Sequence, residues 1–401
     1  MSQVQQVDVH QTDVHQIDVL IVGSGPASMS TALHLVKANS AWARRIVAVD
    51  KAVHPREKLC GGGVTRLGED ILTGLGLSFE PPHVPVREVR LVYQDYVYAV
   101  RDDPVFRIVR RDEFDHWLVQ CAEQRGVAVR QGETVKAITP YPDYVEVVTE
   151  RATFHAKTVV GADGSRSFVR QALGWNNGKT RMARLLEILT PENAEKRKEF
   201  RKGIAIFDFS QMMAGLQGYY WDFPSLIKGQ AFMNRGVFDS RARPERPRVS
   251  LKQELRQALE KRGCNLDDYP LKGHPIHWFD PHERFARPRI ILAGDAAGVD
   301  PMFGEGISFA LAYGEVAAAT IVDAFTHQDF SFSDYKKRIL THPILSQLRM
   351  RTSVARLAYL FNSPRLIGWF WRIAPLIVRF LGWYNPYYIP VNDRRLIRIS
   401  K

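Results

Sequence analysis

The composition of this 401-residue chain is that of a globular protein, with 45% hydrophobic residues and enough length for two domains or one domain with an inserted lobe. Its formal net charge of +12 is concentrated, since residues 336–401 hold thirteen Lys or Arg and one acid, Asp393, while the remainder is neutral. No nucleic-acid-binding motif accompanies this charge, so we expect no nucleic-acid partner. The three widely spaced cysteines match neither a disulfide framework nor a zinc site, and we predict no metal and a cytoplasmic location.

The chain opens with a polar stretch, 1–16, that we interpret as a flexible tail without a signal peptide. Residues 17–22 then have the apolar run of a buried parallel strand. Residues 26–38 follow with helical spacing and a proline at the first position, and residues 46–49 form a second strand. This order predicts a βαβ unit.

After the βαβ unit, the pattern of hydrophobic residues changes from one segment of the chain to the next. Strand formers and aromatics run from residue 183 to 238 without alternating helices, which predicts a second, mostly antiparallel lobe. Residues 290–293 return to the pattern of a buried parallel strand, and a helix is predicted over 304–325. The nucleotide-binding domain is therefore assembled from separated segments. Other predicted elements are helices over 64–75, 112–125 and 167–173 and antiparallel strands within 86–100.

These patterns predict an α/β fold with three parts and a tail. They are a Rossmann-type nucleotide-binding domain, a mostly antiparallel β substrate domain and a C-terminal helical segment. The predicted boundaries are 1–16 for the flexible tail, 17–80, 108–178 and 285–335 for the nucleotide-binding domain, 81–107 and 179–284 for the substrate domain, and 336–401 for the basic helical segment, interrupted at Pro364, Pro375 and Pro386.

A glycine-rich turn, GSGPAS, lies between the first strand and the first helix. Gly23 permits the turn, Gly25 lets the backbone approach a pyrophosphate, and Ser28 replaces the usual third glycine. The helix start directs amide donors and a positive dipole towards the phosphates. Asp50, at the end of the second strand, suits a ribose hydroxyl and disfavours a 2′-phosphate. Alone, this motif also fits a glycine turn in another kind of α/β protein.

Two further aspartates end apolar strands. Asp163 lies in VVGADGSRS and Asp295 in ILAGDAAG. Asp295 is placed to accept a hydrogen bond from the ribityl chain of a flavin. The segment PMFGEGI, residues 301–307, opens a helix whose amides would stabilise negative charge on the N1–C2=O edge of a reduced flavin.

In order and spacing, these motifs resemble those of the FAD-dependent oxidoreductases built like the para-hydroxybenzoate hydroxylases, over roughly the first 330 residues. The resemblance implies a domain that binds FAD, with phosphates near the glycine turn, the adenosine ribose at Asp50 and ribityl or pyrophosphate contacts at Asp295. It matches Arg111 to an arginine that contacts the cofactor, and Asp163 to a residue that often supports the fold. The predicted cofactor residues are Gly23, Gly25, Pro26, Ala27, Asp50, Lys51, Lys58, Cys60, Gly61, Gly62, Arg111, Asp163, Gly294, Asp295, Gly304, Gly306 and Ile307.

A second group of motifs is similar to signatures of the geranylgeranyl reductases within this family. PREKLCGGG, residues 55–63, matches their Pro-x-x-Lys-x-Cys-Gly-Gly loop, whose glycines would let the backbone lie against a flat ring. Cys60 is the predicted catalytic residue, and the alternative is a small buried core residue.

YYWDFP, residues 219–224, is similar to the Tyr-x-Trp-x-Phe-Pro motif of the same reductases, and Asn-x-Gly follows at Asn234. On a strand, alternate residues share one face. We therefore predict that Tyr219, Trp221 and Phe223, with Asn234, bind an apolar substrate. The alternative is an ordinary core-facing strand.

The basic segment also suggests a location. Arg365, Arg372 and Arg379 recur every seven residues among aromatic and aliphatic side chains, which suits the surface of an anionic bilayer. Charges and Pro375 interrupt the apolar run, so we do not expect it to span a membrane. We predict peripheral membrane contact through 336–401, and the alternative is a cap packed on the catalytic body.

The resemblance predicts an FAD-dependent reductase that saturates C=C bonds of an isoprenoid chain, of the geranylgeranyl type, on a lipid, quinone or related molecule. One alternative is an FAD-dependent monooxygenase of an aromatic or apolar substrate, and another is a membrane-surface flavoprotein that acts on a protein partner. The Trp-x-Trp-x-Ile-Pro signature of halogenases is absent from the sequence. No second dinucleotide motif is visible, so the electron donor is open between NAD(P)H and a reduced ferredoxin, which would be an electron-donor protein.

Overall fold

A computed structural model describes residues 14–175, 181–360, 367–369, 371 and 397–398. It confirms the predicted α/β class, with two sheets and helices packed on them. The strands are β1 (Val14–Val22), β2 (Ile46–Asp50), β3 (Gly63–Thr65), β4 (His83–Tyr93), β5 (Tyr96–Val109), β6 (Ala128–Gln131), β7 (Val135–Pro140), β8 (Val145–Thr149), β9 (Thr153–Gly161), β10 (Met182–Pro191), β11 (Ile204–Asp208), β12 (Gly218–Ile227), β13 (Gln230–Asp239), β14 (Lys272–His277), β15 (Ala286–Arg287), β16 (Ile290–Leu292) and β17 (Ile397–Arg398). The helices are α1 (Pro26–Ala38), α2 (Arg66–Gly74), α3 (Arg111–Gln124), α4 (Phe168–Ala172), α5 (Lys198–Lys202), α6 (Leu251–Glu260), α7 (Ile307–His327), α8 (Tyr335–Thr341) and α9 (Gln347–Ala358).

The first sheet has the strand order β15-β16-β9-β1-β2-β6, with β8 and β7 joined to β9. Its central strands are parallel, because β1 pairs with both β2 and β9, and β16 pairs with β9. The predicted βαβ unit is present, and α1 has the predicted bounds. Buried aliphatic side chains from β1, β2, β9 and β16 form the core of this domain.

Two helices of this core, α1 and α7, cross in close contact. The Ser30 hydroxyl donates to the carbonyl of Leu311 at 2.7 Å. A Cβ on Gly314 would lie 2.4 Å from the Cβ of Ser30, so a glycine is needed at the crossing. Among the described residues, α7 is long and apolar enough to pass for a membrane span, but 78% of its apolar window is buried inside the protein. It is therefore a core helix of the first domain.

The N-terminal boundary of the first strand differs from the prediction. β1 begins at Val14, so residues 14–16 belong to a strand and not to a flexible tail. The reason is that they continue the parallel pairing with residues 153–155 of β9. Residues 1–13 lie outside the described part of the chain.

The helix predicted over 64–75 also begins later than expected, at Arg66. Gly63–Thr65 form β3 instead, because they pair antiparallel with Phe106–Ile108 of β5. Hydrogen bonding to a distant strand decides the conformation here against the local helical pattern. A short piece of the predicted nucleotide-binding segment thereby joins the second sheet.

The second sheet has the order β14-β10-β13-β12-β11-β4-β5-β17, with β3 also on β5. It is antiparallel, as predicted, except that β11 runs parallel to β4. One face packs α6 over a small apolar cluster around Tyr220 and Leu255. The other face carries the aromatic side chains of β12 and contributes to the cavity described below.

The described part of segment 336–401 packs against the body. Trp371 stacks on Tyr93 with ring centroids 5.2 Å apart, and Thr352 donates to the carbonyl of Phe279 at 3.0 Å. Ile397–Arg398 form a strand on β5 and are not helical, because the edge of β5 offers them hydrogen-bonding partners. The predicted positions Arg365, Arg372, Arg379, Pro364, Pro375 and Pro386 lie outside the described residues.

Candidate functional site

The glycine turn after β1 has the geometry that a phosphate site needs. Gly23 has φ +107°, its N–H donates to the carbonyl of Val49 at 2.8 Å, and a Cβ there would lie 2.4 Å from the carbonyl oxygen of Ala162. Only glycine fits that position. Gly25 precedes Pro26 and Ala27 at the start of α1, and a Cβ on Gly25 would meet only Arg56 Nη2, at 3.6 Å. The protein thus leaves room beside Gly25 for a bound group.

Asp50 is tied to this turn. Its Oδ2 accepts hydrogen bonds from the amide and the hydroxyl of Ser24 at 2.8 and 2.6 Å, and its Oδ1 accepts the amide of Ala52 at 2.9 Å. The imidazole Nε2 of His54 lies 2.7 Å from the same hydroxyl. Asp50 is therefore held at the turn, and its contact with a ribose stays a prediction, whereas the neighbouring Lys51 is exposed.

The aspartates at the ends of β9 and β16 have different surroundings. Asp163 accepts the amide of Val169 at 3.1 Å, at the start of α4, and burial raises its pKa. This contact supports the fold. Gly294 has φ +62°, and a Cβ there would lie 2.8 Å from the Cβ of Ala27, which places the turn against α1. Asp295, next to it, accepts the hydroxyl of Ser165 at 3.0 Å.

A cation and a histidine face Asp295. Lys58 Nζ lies 3.5 Å from Asp295 Oδ2 and 2.6 Å from His274 Nε2. Burial tends to raise the pKa of Asp295, but the nearby cations Lys58 and Arg111 have the larger effect and lower this pKa overall. Burial also lowers the pKa of Lys58. His274 was not predicted as a site residue, because it lies on β14 in no recognisable motif.

Arg111, the first residue of α3, is fixed by a buried acid. Its Nε and Nη2 donate to the two carboxylate oxygens of Asp115 at 2.7 and 2.8 Å. Arg56 Nη2 lies 3.0 Å from the same carboxylate. Arg56 therefore connects the glycine turn, through Asp115, to Arg111, and it leaves this group with one excess positive charge.

Three hydrogen bonds hold the loop at Cys60. The Cys60 amide donates to Glu187 Oε2 at 3.1 Å, and the Cys60 carbonyl accepts from Asn234 Nδ2 at 3.0 Å. Within the loop, the Cys60 sulfur accepts from the amide of Gly62 at 3.4 Å. Cys60 is half-buried on the loop, where it lines the cavity and also packs against the apolar core of the first domain. Burial raises the pKa of Glu187 to about 7. Glu187 was missed because it lies among the apolar residues of β10, where nothing local distinguishes it.

The aromatic residues of β12 are buried, and Phe223 and Trp221 lie close to this loop. A Cβ on Gly61 would lie 3.0 Å from the ring of Phe223. The indole N–H of Trp221 donates to Asn234 Oδ1 at 2.8 Å, and the Tyr219 hydroxyl donates to the carbonyl of Phe303. Asn234 therefore joins the aromatic wall to the Cys60 loop.

The start of α7 closes the site. Gly304 has φ +66°, and a Cβ on Gly306, the residue before Ile307, would lie 3.7 Å from Asp295 Oδ1. Arg351 of α9 places Nη1 2.8 Å from both Asp300 and Glu305. Arg351 was not predicted as a site residue, because residues 336–401 were expected to form a separate unit.

These elements surround one cavity, and the predicted residues that line it come from separated parts of the chain. Its polar end carries a net positive set of side chains and its far wall is aromatic, a combination that fits a flavin and an apolar substrate. Together with the room beside Gly25, this arrangement fits FAD. Lining residues named above are Lys58, Cys60, Gly61, Gly62, Arg111, Tyr219, Trp221, Phe223, His274, Asp295, Gly304, Gly306 and Arg351.

Comparison with known proteins agrees with this geometry. A family described as FAD binding domain matches residues 93–313. The menaquinone reductase of Mycobacterium tuberculosis (strain H37Rv) is 28% identical over 331 residues, which cover 75% of each chain. A geranylgeranyl bacteriochlorophyll reductase-like protein from Thermoplasma acidophilum has 20% identity and a TM-score of 0.72, over 88% of this chain and 90% of that chain.

The halogenase PltM, solved in complex with phloroglucinol and FAD, superposes with a TM-score of 0.67 and 17% identity, over 91% of this chain and 82% of that chain. Likeness at this level of identity shows a shared fold, and the family match covers more than half of the sequence. The protein belongs to the FAD-binding-domain family and is an FAD-dependent oxidoreductase.

Proposed function

We propose that the protein is a reductase that saturates C=C bonds of an isoprenoid chain. The observation that supports this most directly is that Gly61 of the Cys60 loop lies against Phe223 and Trp221, in a cavity that Tyr219 also lines. Reduced FAD supplies a hydride when it is bound, and an alkene needs a hydride at one carbon and a proton at the other.

The residues of this chain would bind and orient the alkene and provide the proton. The aromatic wall holds an apolar chain and excludes water. Asn234 fixes the carbonyl of Cys60 and the indole of Trp221 together, so the loop and the wall keep one relative position. Such positioning contributes to the rate without any further chemical group. Cys60 is the candidate for influencing proton delivery.

The relative named menaquinone reductase makes a prenylated quinone the first substrate to test. We would reduce the purified protein with dithionite under anaerobic conditions, add menaquinone or geranylgeranyl lipids, and follow flavin reoxidation and product mass. The proposal predicts reoxidation with a gain of two mass units per bond, located in the prenyl chain by mass fragmentation, because reduction of the quinone ring to the quinol also adds two mass units. Flavin that stays reduced until oxygen is admitted would reject it.

The role of Cys60 is tested by Cys60→Ser. Because general acid–base groups contribute about 100-fold or more, single-turnover alkene reduction should slow by at least about 100-fold while FAD stays bound. Cys121→Ser is the matched control, since Cys121 is buried in α3. An unchanged rate in Cys60→Ser would remove Cys60 from the mechanism.

A monooxygenase is the second candidate, and the fold shared with the FAD-bound halogenase supports it. In that case product formation would consume oxygen in equal amount and would not occur anaerobically. NAD(P)H and reduced ferredoxin are the donors to compare in either assay.

We also propose that segment 336–401 contacts a membrane surface. Two large apolar side chains of this segment face solvent, since Trp369 is 59% exposed and Leu357 is 54% exposed. Trp371, in contrast, is buried against the second sheet. Co-sedimentation with anionic vesicles tests this, and loss of binding in Trp369→Ser would support it. Equal sedimentation with and without vesicles would favour a cap packed on the body.

A further inference from the structure

His274 lies on the wall of the cavity, and the proposed reduction gives it no part. Its Nε2 is 2.6 Å from Lys58 Nζ, and Lys58 is 3.5 Å from Asp295. All three residues line the cavity together with Arg111. A histidine that contacts an ammonium group at this distance is unusual, because both groups are cations when protonated.

The contact determines the protonation of His274. With Lys58 charged beside Asp295, its ammonium group has donors and no acceptor, so His274 Nε2 accepts and the imidazole is neutral. The electrostatic surroundings agree with this. Burial, and then the charge of Lys58, lower the pKa of His274 to about 3.

The charges around this pair change when FAD enters. The groups that act on His274 are the cations Lys58, Arg111 and Arg166 and the anion Asp295. Asp115 compensates one of the two cations Arg111 and Arg56, so that group keeps one positive charge. Gly294, the residue before Asp295, lies against Ala27 at the start of α1, where the glycine turn would hold the diphosphate of FAD, and Lys58 contacts Asp295. The diphosphate would therefore add two negative charges close to the Lys58–His274 pair, and a nearby anion favours the protonated form of an imidazole. In a partly buried site this interaction is weakly screened.

We propose that His274 is a cofactor-binding residue that accepts a proton when FAD binds, whereupon Lys58 donates its hydrogen bonds to the cofactor instead of to His274. A protonated imidazole can no longer accept from an ammonium group, so protonation releases Lys58. The site then gains one positive charge against the incoming diphosphate. This inference concerns FAD alone and does not depend on which substrate is reduced.

The proposal fixes the direction of a pH effect. Since binding takes up a proton, FAD is held more tightly at low pH, and the affinity falls as pH rises through the pKa of His274 in the FAD-bound protein. For a single proton the change is at most about tenfold per pH unit.

The test measures the dissociation constant of FAD from the holoprotein between pH 5 and pH 8, through the fluorescence of the released cofactor on dilution. In the wild type the dissociation constant should rise with pH by up to about tenfold per unit. In His274→Gln it should not depend on pH over this range, because the amide oxygen still accepts from Lys58 but does not titrate. A wild type without pH dependence, or a variant with the wild-type dependence, would overturn the proposal.

His34 provides the matched control. It lies on α1, where its ring contacts Ser30 and not the cavity, and burial also lowers its pKa. His34→Gln should keep the wild-type pH dependence, and its loss in this variant would assign the proton to His34 and overturn the proposal. Lys58→Met gives a second measurement, since FAD binding should weaken at every pH. Unchanged affinity in Lys58→Met would contradict the role given to the pair.

Discussion

The substitution Gly62→Ala tests whether the Cys60 loop is held by backbone packing. Gly62 has φ +81°, and a Cβ there would lie 2.0 Å from the carbonyl oxygen of Val109. That is roughly 1.5 Å inside ordinary contact distance. Neither atom moves easily, because Val109 also donates its amide to the carbonyl of Gly62 at 2.9 Å. Alanine would therefore force β3 away from β5.

Gly76→Ala is the matched control for this effect. Gly76 has φ +70°, similar to Gly62, but a Cβ there would meet nothing within 4 Å. A left-handed conformation costs a residue with a Cβ about 1–2 kcal/mol at either position. Overpacking adds about 1–3 kcal/mol at Gly62 alone. We expect losses of about 1–2 kcal/mol for Gly76→Ala and about 2–5 kcal/mol for Gly62→Ala.

Urea-induced unfolding of the FAD-bound protein, followed by flavin and tryptophan fluorescence, measures both losses in free energy of unfolding. The difference between the two variants isolates the steric effect, because the backbone term is common to both. Equal losses would refute the reasoning and would show that the loop can move away from Val109 without cost.

Two further predictions concern buried charges. Burial raises the pKa of Glu187 from 4.5 to about 7 in the folded protein. Between these two pH values the folded protein keeps the proton of Glu187, whereas the unfolded chain releases it. The stabilisation that comes from this bound proton is therefore lost as pH rises from 4.5 to 7. Glu187→Gln should flatten that part of the pH dependence of the free energy of unfolding, and an identical pH dependence in variant and wild type would contradict this. Arg351→Met leaves Asp300 and Glu305 without their shared cation, so the free energy of unfolding in urea should fall by about 3 kcal/mol. Arg351→Lys keeps the charge and should lose less. Wild-type stability of Arg351→Met would show that the ion pairs contribute nothing.

The sequence by itself located the strand-end turns that we predict to bind the cofactor. Gly23, Asp50 and Asp295 lie at the ends of parallel strands, and such ends meet at one edge of a sheet. Their positions follow from local patterns, because an apolar strand, a turn and a helix start each have a signature within a few residues. The Cys60 loop and the residues of β12 were recognisable for the same reason.

Only the tertiary structure decided which distant side chains complete the site. His274, Glu187 and Arg351 come from β14, β10 and α9, and none of them lies in a local motif. The structure also placed Gly63–Thr65 in a strand and packed the described part of the basic segment on the body. In each case the deciding interaction joins residues far apart in the chain. It is the pairing of two strands, a buried ion pair or a hydrogen bond across the cavity. Local periodicity cannot report such interactions, because they depend on which surfaces the folded chain brings together.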